Sequence, residues 1–212
     1  MTWLDHELSA PPKTILEVGA DEEKAIRDAV RNADVSLLGP RHRIATLDHV
    51  DGLIDLLSDP AVSEPIYDLP KPFTPEVMAK WVSDAHARQE TGEAVLCVML
   101  DEDDRISGYS YFTIWPHRSA AEIAGAHRAD TQSRGVGKAG AARSFGWMFE
   151  HLGVRLIGLT AAKDNVRSAK VIEAAGFEPM GIRSSTRPDG STRESKYWEM
   201  NRDQWRSLHR RS

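Results

Sequence analysis

The chain carries one cysteine, Cys97, in 212 residues, so no internal disulfide can form and a reducing compartment is expected. Cys97 lies inside the apolar run AVLCVML, which suits a buried strand position better than a nucleophile. Long apolar runs are missing as well. None is long enough to cross a bilayer, and Asp5, Glu7 and Pro11 interrupt any signal-peptide core, so the expectation is a cytoplasmic protein without a membrane partner. Positive charge is in deficit: a net charge of −5 argues against nucleic acid or anionic membrane as a partner. His6, His42, His49, His86, His117, His151 and His209 show no metal-ligand spacing, so no metal is expected. No repeat or low-complexity tract appears, so nothing points to a solenoid. What is present is a hydrophobic fraction of 41 %, ample for one packed domain.

The pattern of that hydrophobicity divides the chain. Residues 1–40 read as an extension packing on the domain that follows, with a charged helix over 21–33; residues 41–212 read as the domain itself. HRIATL (42–47) alternates as a strand, and a short helix follows with Asp48 as its N-cap. Prolines at 60, 65, 70, 72 and 75 predict an irregular 59–75 segment, after which Thr74 caps a helix opening on Pro75. AVLCVML and ISGYSYFTIW predict two strands joined at DEDD, and AAEIAGAH a third. A helix runs from Val136 to about Leu152, then the strand VRLIGLTA, then the helix NVRSAKVIEAAG with Val166, Ala169, Ile172 and Ala175 inward and Gly176 as its stop. EPMGIRSST and ESKYWEM close the chain as a hairpin about Asp189-Gly190. The class is α+β, a mixed sheet with helices on its faces.

The most informative stretch is TQSRGVGKAG (131–140), a glycine-rich turn opening a helix, which aims N–H groups and a positive dipole end at an anion. A nucleoside triphosphate loop fails, because Lys138 is followed by Ala139 and only Val136 separates Gly135 from Gly137. GVGKAG formally matches a dinucleotide fingerprint, but RADTQSR separates it from the preceding strand and only one βαβ unit follows.

QSRGVGK read together with NVRSAKVIEAAGF thirty residues on resembles the GNAT superfamily of acyl-CoA-dependent N-acyltransferases. The pyrophosphate loop Q/R-x-x-G-x-G/A is matched by Gln132, Gly135 and Gly137; the second signature is matched by Asn165 and Gly176-Phe177. GPRHRIATLD, DPAV, AEIAGAH and YWEMNRDQW bring the likeness nearest to the RimJ/RimL branch. The resemblance implies a mostly antiparallel sheet of about seven strands with helices on both faces. It also implies acetyl-CoA as cofactor and direct attack by a substrate amine on the thioester. The N–H groups of Gly135, Val136, Gly137 and Lys138 would hold the pyrophosphate, with Arg134 and Lys138 adding charge and Arg143 or Lys163 reaching the 3′-phosphate. Asn165 either hydrogen-bonds the pantetheine arm or simply caps its helix.

For catalysis the resemblance offers Glu122 as base, with His127 second. Backbone N–H groups near Ala126 and His127 are the candidate donors to the thioester oxygen. The family's tyrosine acid is replaced by Ile172, which leaves Ser168 as the substitute and Tyr197 as a distant one. Tyr67, Phe73, Trp81, Trp115 and Trp198 are the candidate lining of a substrate pocket. The acceptor is a peptide N-terminal amine or a small-molecule amine, with a homodimer compatible. A non-catalytic acyl-CoA sensor is the alternative.

Overall fold

The computed structural model describes residues 11–66, 69–128, 136–186 and 192–209, without the side chains of 136–138 and 185–186. Helix α1 (Ala20–Arg31) leads through a 3₁₀ turn at Val35–Leu38 into strand β1 (His42–Ile44). The strand is shorter than its alternation predicts, because a second 3₁₀ turn, Leu47–His49, takes over. There the Thr46 N–H donates to His49 Nδ1 at 2.9 Å, so Thr46, not Asp48, opens the helical run into α2 (Val50–Leu57). The proline-rich segment is not wholly irregular either. Pro60 occupies a first-turn position, where its missing N–H costs nothing, in α3 (Pro60–Ser63), and Asp59 accepts from the Ala61 N–H at 2.9 Å. Thr74 caps α4 (Pro75–Thr91), which ends at Gly92 in the left-handed conformation.

Strands β2 (Ala94–Leu100), β3 (Ile106–Trp115) and β4 (Ala120–His127) form an antiparallel meander. Then come α5 (Val136–Glu150), β5 (Leu156–Ala162), α6 (Val166–Ala174), β6 (Glu178–Thr186), β7 (Thr192–Asn201) and α7 (Arg202–His209). The Asp189-Gly190 turn lies outside the described residues. The seven strands make one sheet in the order β1-β2-β3-β4-β5-β7-β6, antiparallel except for the β4–β5 pair.

Strand alternation feeds two cores. Leu96, Val98 and Tyr109 meet Leu53, Leu57, Met78 and Val82 of α2 and α4 on one face. Val95, Cys97 and Phe112 meet Ile26 and Val30 of α1, with Phe145 and Met148 of α5, on the other. Burial pushes the Cys97 thiol up to about 12, so it is inert packing. In α6, Ala169 and Ile172 turn inward, but Val166 is 55 % exposed. It is the first residue of α6 and faces solvent. Residues 11–17 cross the sheet as a strap: Arg118 donates to the Pro12 and Thr14 carbonyls, and Arg183 to that of Pro11. Among the described residues no helix is long and apolar enough to cross a membrane.

Candidate active site

The site begins where two strands part. β4 and β5 are paired only at Ala120–Leu156 and Ala121–Ile157; beyond that the ladder stops, although both strands run on to His127 and Ala162. β4 instead stays close to β3. A Cβ on Gly125 would lie 2.5 Å from the Tyr109 carbonyl oxygen, and one on Gly108 would lie 2.7 Å from that of Ala126, so only glycine permits this approach. The parting opens a cleft of 470 Å³ that both faces of the sheet share.

Glu122 is the first β4 residue past the last pair. Its carboxylate Oε1 accepts a hydrogen bond from the Thr160 hydroxyl of β5 at 3.0 Å, spanning the parting point. Ala121 and Ile123 pack toward α5, so alternation turns Glu122 to the α2/α4 face, where Tyr109, Val62 and Ile66 also line the cleft. Arg193 of β7 donates to the Pro65 carbonyl at 3.1 Å and bridges the rim on that side. His127, five residues on, lines the other face. Burial first, then the positive surroundings of His42 and Arg167, hold its pKa below the usual imidazole value. His42 shares that wall and is shifted the same way, chiefly by burial.

Asn165 lines the cleft and its side chain accepts from the Ser168 N–H at 3.0 Å, so it caps α6. Ser168, Ala126, Arg143 and Ile172 line the cleft as well. Lys163 is paired with Glu194. Gln132, Arg134 and Gly135 lie outside the described residues; Val136, Gly137 and Lys138 form the first turn of α5, whose N–H groups have no intrahelical partner.

The aromatic expectations fare differently. Tyr67 lies outside the described residues. Phe73 and Trp81 pack onto the α2/α4 core, Trp81 stacking on Tyr111 at 5.9 Å. Trp115 pairs with Ala120 at the closed end of the β4–β5 parting and does not line the cleft. Trp198 is a correction: it is 2 % exposed in the core beneath α5 and α6, because alternation sends Ser195, Tyr197 and Glu199 to the cleft face and Trp198 away from it. Tyr197 is no acid. Its hydroxyl donates to Glu199 at 2.5 Å, and burial with that carboxylate pushes its pKa well up. Sequence reasoning missed Thr160, which holds Glu122 across the cleft and whose signal was a lone polar residue in an apolar strand.

A family model of the acetyltransferase (GNAT) domain matches residues 42–178. The chain belongs to the GNAT acetyltransferase family. Acetyl-CoA is the cofactor of this family, and the cleft suits it. The interrupted ladder leaves room for an extended arm, and Arg143 and Arg167 supply positive charge. Gly140 of α5 is a position where an added Cβ would meet nothing within 4 Å. Asn165 and Ser168 would hold the arm and the first turn of α5 the phosphates. Among curated proteins no relative of this GNAT chain matches. Solved structures agree in fold. Ribosomal-protein-S5-alanine acetyltransferase from Vibrio fischeri is 19 % identical at a TM-score of 0.65, covering 77 % of this chain and 93 % of that one. RimJ of Mycobacterium smegmatis, in complex with CoA-disulfide, is 17 % identical at 0.66, covering 76 % and 81 %. AAC(6')-Ib, in complex with ribostamycin and coenzyme A, is 18 % identical at 0.64, covering 79 % and 96 %.

Proposed function

We propose that this acetyltransferase acts on a primary amine that enters on the α2/α4 side of the sheet, with Glu122 taking up the amine proton. The observation that carries the reading is the position of Glu122 immediately past the last β4–β5 pair, oriented by the Thr160 hydroxyl. A primary amine, with a pKa from about 8 for a peptide N-terminus to about 10 for an alkylamine, is mostly protonated at pH 7, so it must lose a proton before it can attack. Bound acetyl-CoA supplies the acyl thioester. Glu122 binds the ammonium by charge and takes its proton, directly or through one water. Backbone N–H groups about Ala126 and His127, past the end of the ladder, donate to the thioester oxygen. The Ser168 hydroxyl donates to the departing sulfur. His127 is second choice as base, because the sheet separates its face from that of Glu122. Val62, Pro65, Ile66 and Tyr109 give the acceptor side an apolar wall that excludes water.

The relatives in fold include an enzyme named for an alanine of a ribosomal protein and one in complex with ribostamycin, so a peptide N-terminus and an amino sugar are both candidates. Thiol release from acetyl-CoA across N-terminal peptides, amino sugars and polyamines tests the reading. Turnover of at least one amine, lost in Glu122→Gln, supports it. Binding of acetyl-CoA with no thiol release for any amine would make the protein an acyl-CoA sensor.

A further inference from the structure

Two imidazoles that the proposed chemistry does not use stand in one row across the sheet. His42 of β1 pairs with Met99 of β2, Met99 with Gly108 of β3, and Gly108 with His127 of β4. Paired residues share a face, and this row lies on the face of Cys97 and Phe112, toward α5. Gly108 adds no side chain, and the His127 ring turns over it: a Cβ there would lie 3.0 Å from Nδ1. His42, Met99 and His127 line the cleft together with Gly140, Arg143 and Ser144 of α5.

The charges that act on the row are all positive. Arg143 and Arg43 act on His42, while His42 and Arg167 act on His127. The His42 Nδ1 faces the Gly39 carbonyl at 3.3 Å. Leu38, Met99 and Gly108, the neighbours from the Val35–Leu38 turn, β2 and β3, carry no charge. Glu122 is the single carboxylate among the described residues of the lining, and it is on the opposite face. Burial first, and these cations second, hold both rings neutral at pH 7 in the free protein. Negative charge comes with the cofactor, whose pyrophosphate belongs at the first turn of α5, the helix that carries Gly140, Arg143 and Ser144 along the same wall.

We infer that His42 and His127 are part of the cofactor site and become imidazolium ions when the pyrophosphate of acetyl-CoA enters, so that binding takes up protons and tightens as pH falls. A nearby anion favours the charged ring and offsets its burial. By linkage, the gain in affinity is complete below the rings' free values and is lost as pH rises through their bound ones. The inference rests on acetyl-CoA as the cofactor and not on the amine site.

Titration calorimetry of the full chain with dephospho-CoA tests it. That ligand lacks the 3′-phosphate, which itself titrates at about pH 6 and would blur the count. Binding heats in buffers of different ionisation enthalpy give the protons exchanged. At about pH 6.5 the wild type should take up about 0.3 to 1.5 protons per ligand, and Kd should tighten about 3- to 30-fold from about pH 7.5 to 5.5. His42→Gln should lose part of both effects. The double variant with His127→Gln should lose nearly all, while its Kd at about pH 7.5 stays within a few-fold of the wild type. Binding without proton uptake in the wild type overturns the inference before any variant is made. Uptake that survives in the double variant, or vanishes in Glu122→Gln, places the titrating group elsewhere and overturns it too. A double variant that binds poorly even at pH 7.5 would make the rings packing side chains, with the same consequence. Failure of CoA itself to bind would remove the cofactor, a result distinct from binding without uptake.

Discussion

Glu122 and His127 sit five residues apart on one strand, so alternation puts their side chains on opposite faces of the sheet. Their environments separate them further. Glu122 is fixed by a neutral hydroxyl at 3.0 Å, whereas His127 is buried beside positive charge and stays neutral around pH 7. Glu122→Gln keeps the shape and removes the basicity, so kcat should fall about 10²–10⁴-fold with binding little changed, and His127→Gln should cost only a few-fold. Steady-state kinetics on both variants decide the assignment; a large loss in the histidine variant alone would move the role to His127. Gly137 gives a second test. It lies in the first turn of α5, where a branched side chain would stand in the path of a phosphate. Gly137→Val should lose CoA affinity in a titration while its circular dichroism stays native; retained affinity would mean the phosphates lie elsewhere. Glu122 was legible because a glutamate on that strand belongs to the resemblance. Thr160 was not, because its bond to Glu122 depends on how β4 and β5 are placed side by side, which no local pattern displays.

The elements read most easily are those whose signals are local. Thr74 and Pro75 announce α4, Gly176 ends α6, and the apolar run at 94–100 is a strand buried on both faces. α7 escaped because Trp205 and Leu208 are its sole large apolar residues and Leu208 is exposed, too little for a stripe. The strap over residues 11–17 escaped for another reason: its partners are more than a hundred residues away. The Thr14 N–H and the Tyr197 hydroxyl both donate to Glu199, which is 5 % exposed, and the Lys13 N–H donates to the Tyr197 oxygen at 3.3 Å. Tyr197→Phe deletes the donor and leaves a buried carboxylate short of one bond, which should cost about 1–3 kcal/mol. Denaturant unfolding should show the midpoint falling, and acetyl transfer measured well below it should persist. Loss of activity without loss of stability would return Tyr197 to the chemistry.

Across the whole molecule, the parted strands and the two cores meet at one cleft, and titratable groups both on the surface and in the cleft lining link stability to pH. Six carboxylates, Asp28, Asp34, Asp55, Glu76, Asp101 and Glu150, have lowered pKa values, through hydrogen bonds from Lys24, Ser36, Arg128, the Glu76 backbone N–H, the Arg105 N–H and Arg206 respectively. Each stabilises the fold above its unfolded value and loses that contribution as pH falls through the folded one. All are at least partly exposed to solvent, which screens them, so their joint effect is small and confined to pH below about 4.5. His42 and His127 are different. Both fall below the ordinary 6.5 chiefly through burial, so the unfolded chain takes up protons that the folded one refuses. Their contribution is complete above pH 6.5 and declines as pH drops below it. A melting curve against pH should therefore be flat near neutrality and begin to fall below about 6.5, well before the carboxylates titrate. His42→Gln and His127→Gln should each flatten that first decline. A wild-type curve that stays level down to about pH 4.5 would show that neither ring is held neutral. Acetyl-CoA at 100 times its Kd should raise stability at pH 7 by about 2.7 kcal/mol, while NAD and ATP should leave it unchanged. Stabilisation by NAD equal to that by CoA would mean that the parted strands hold a dinucleotide, and the assignment of the cleft to an acyl-CoA arm would be lost.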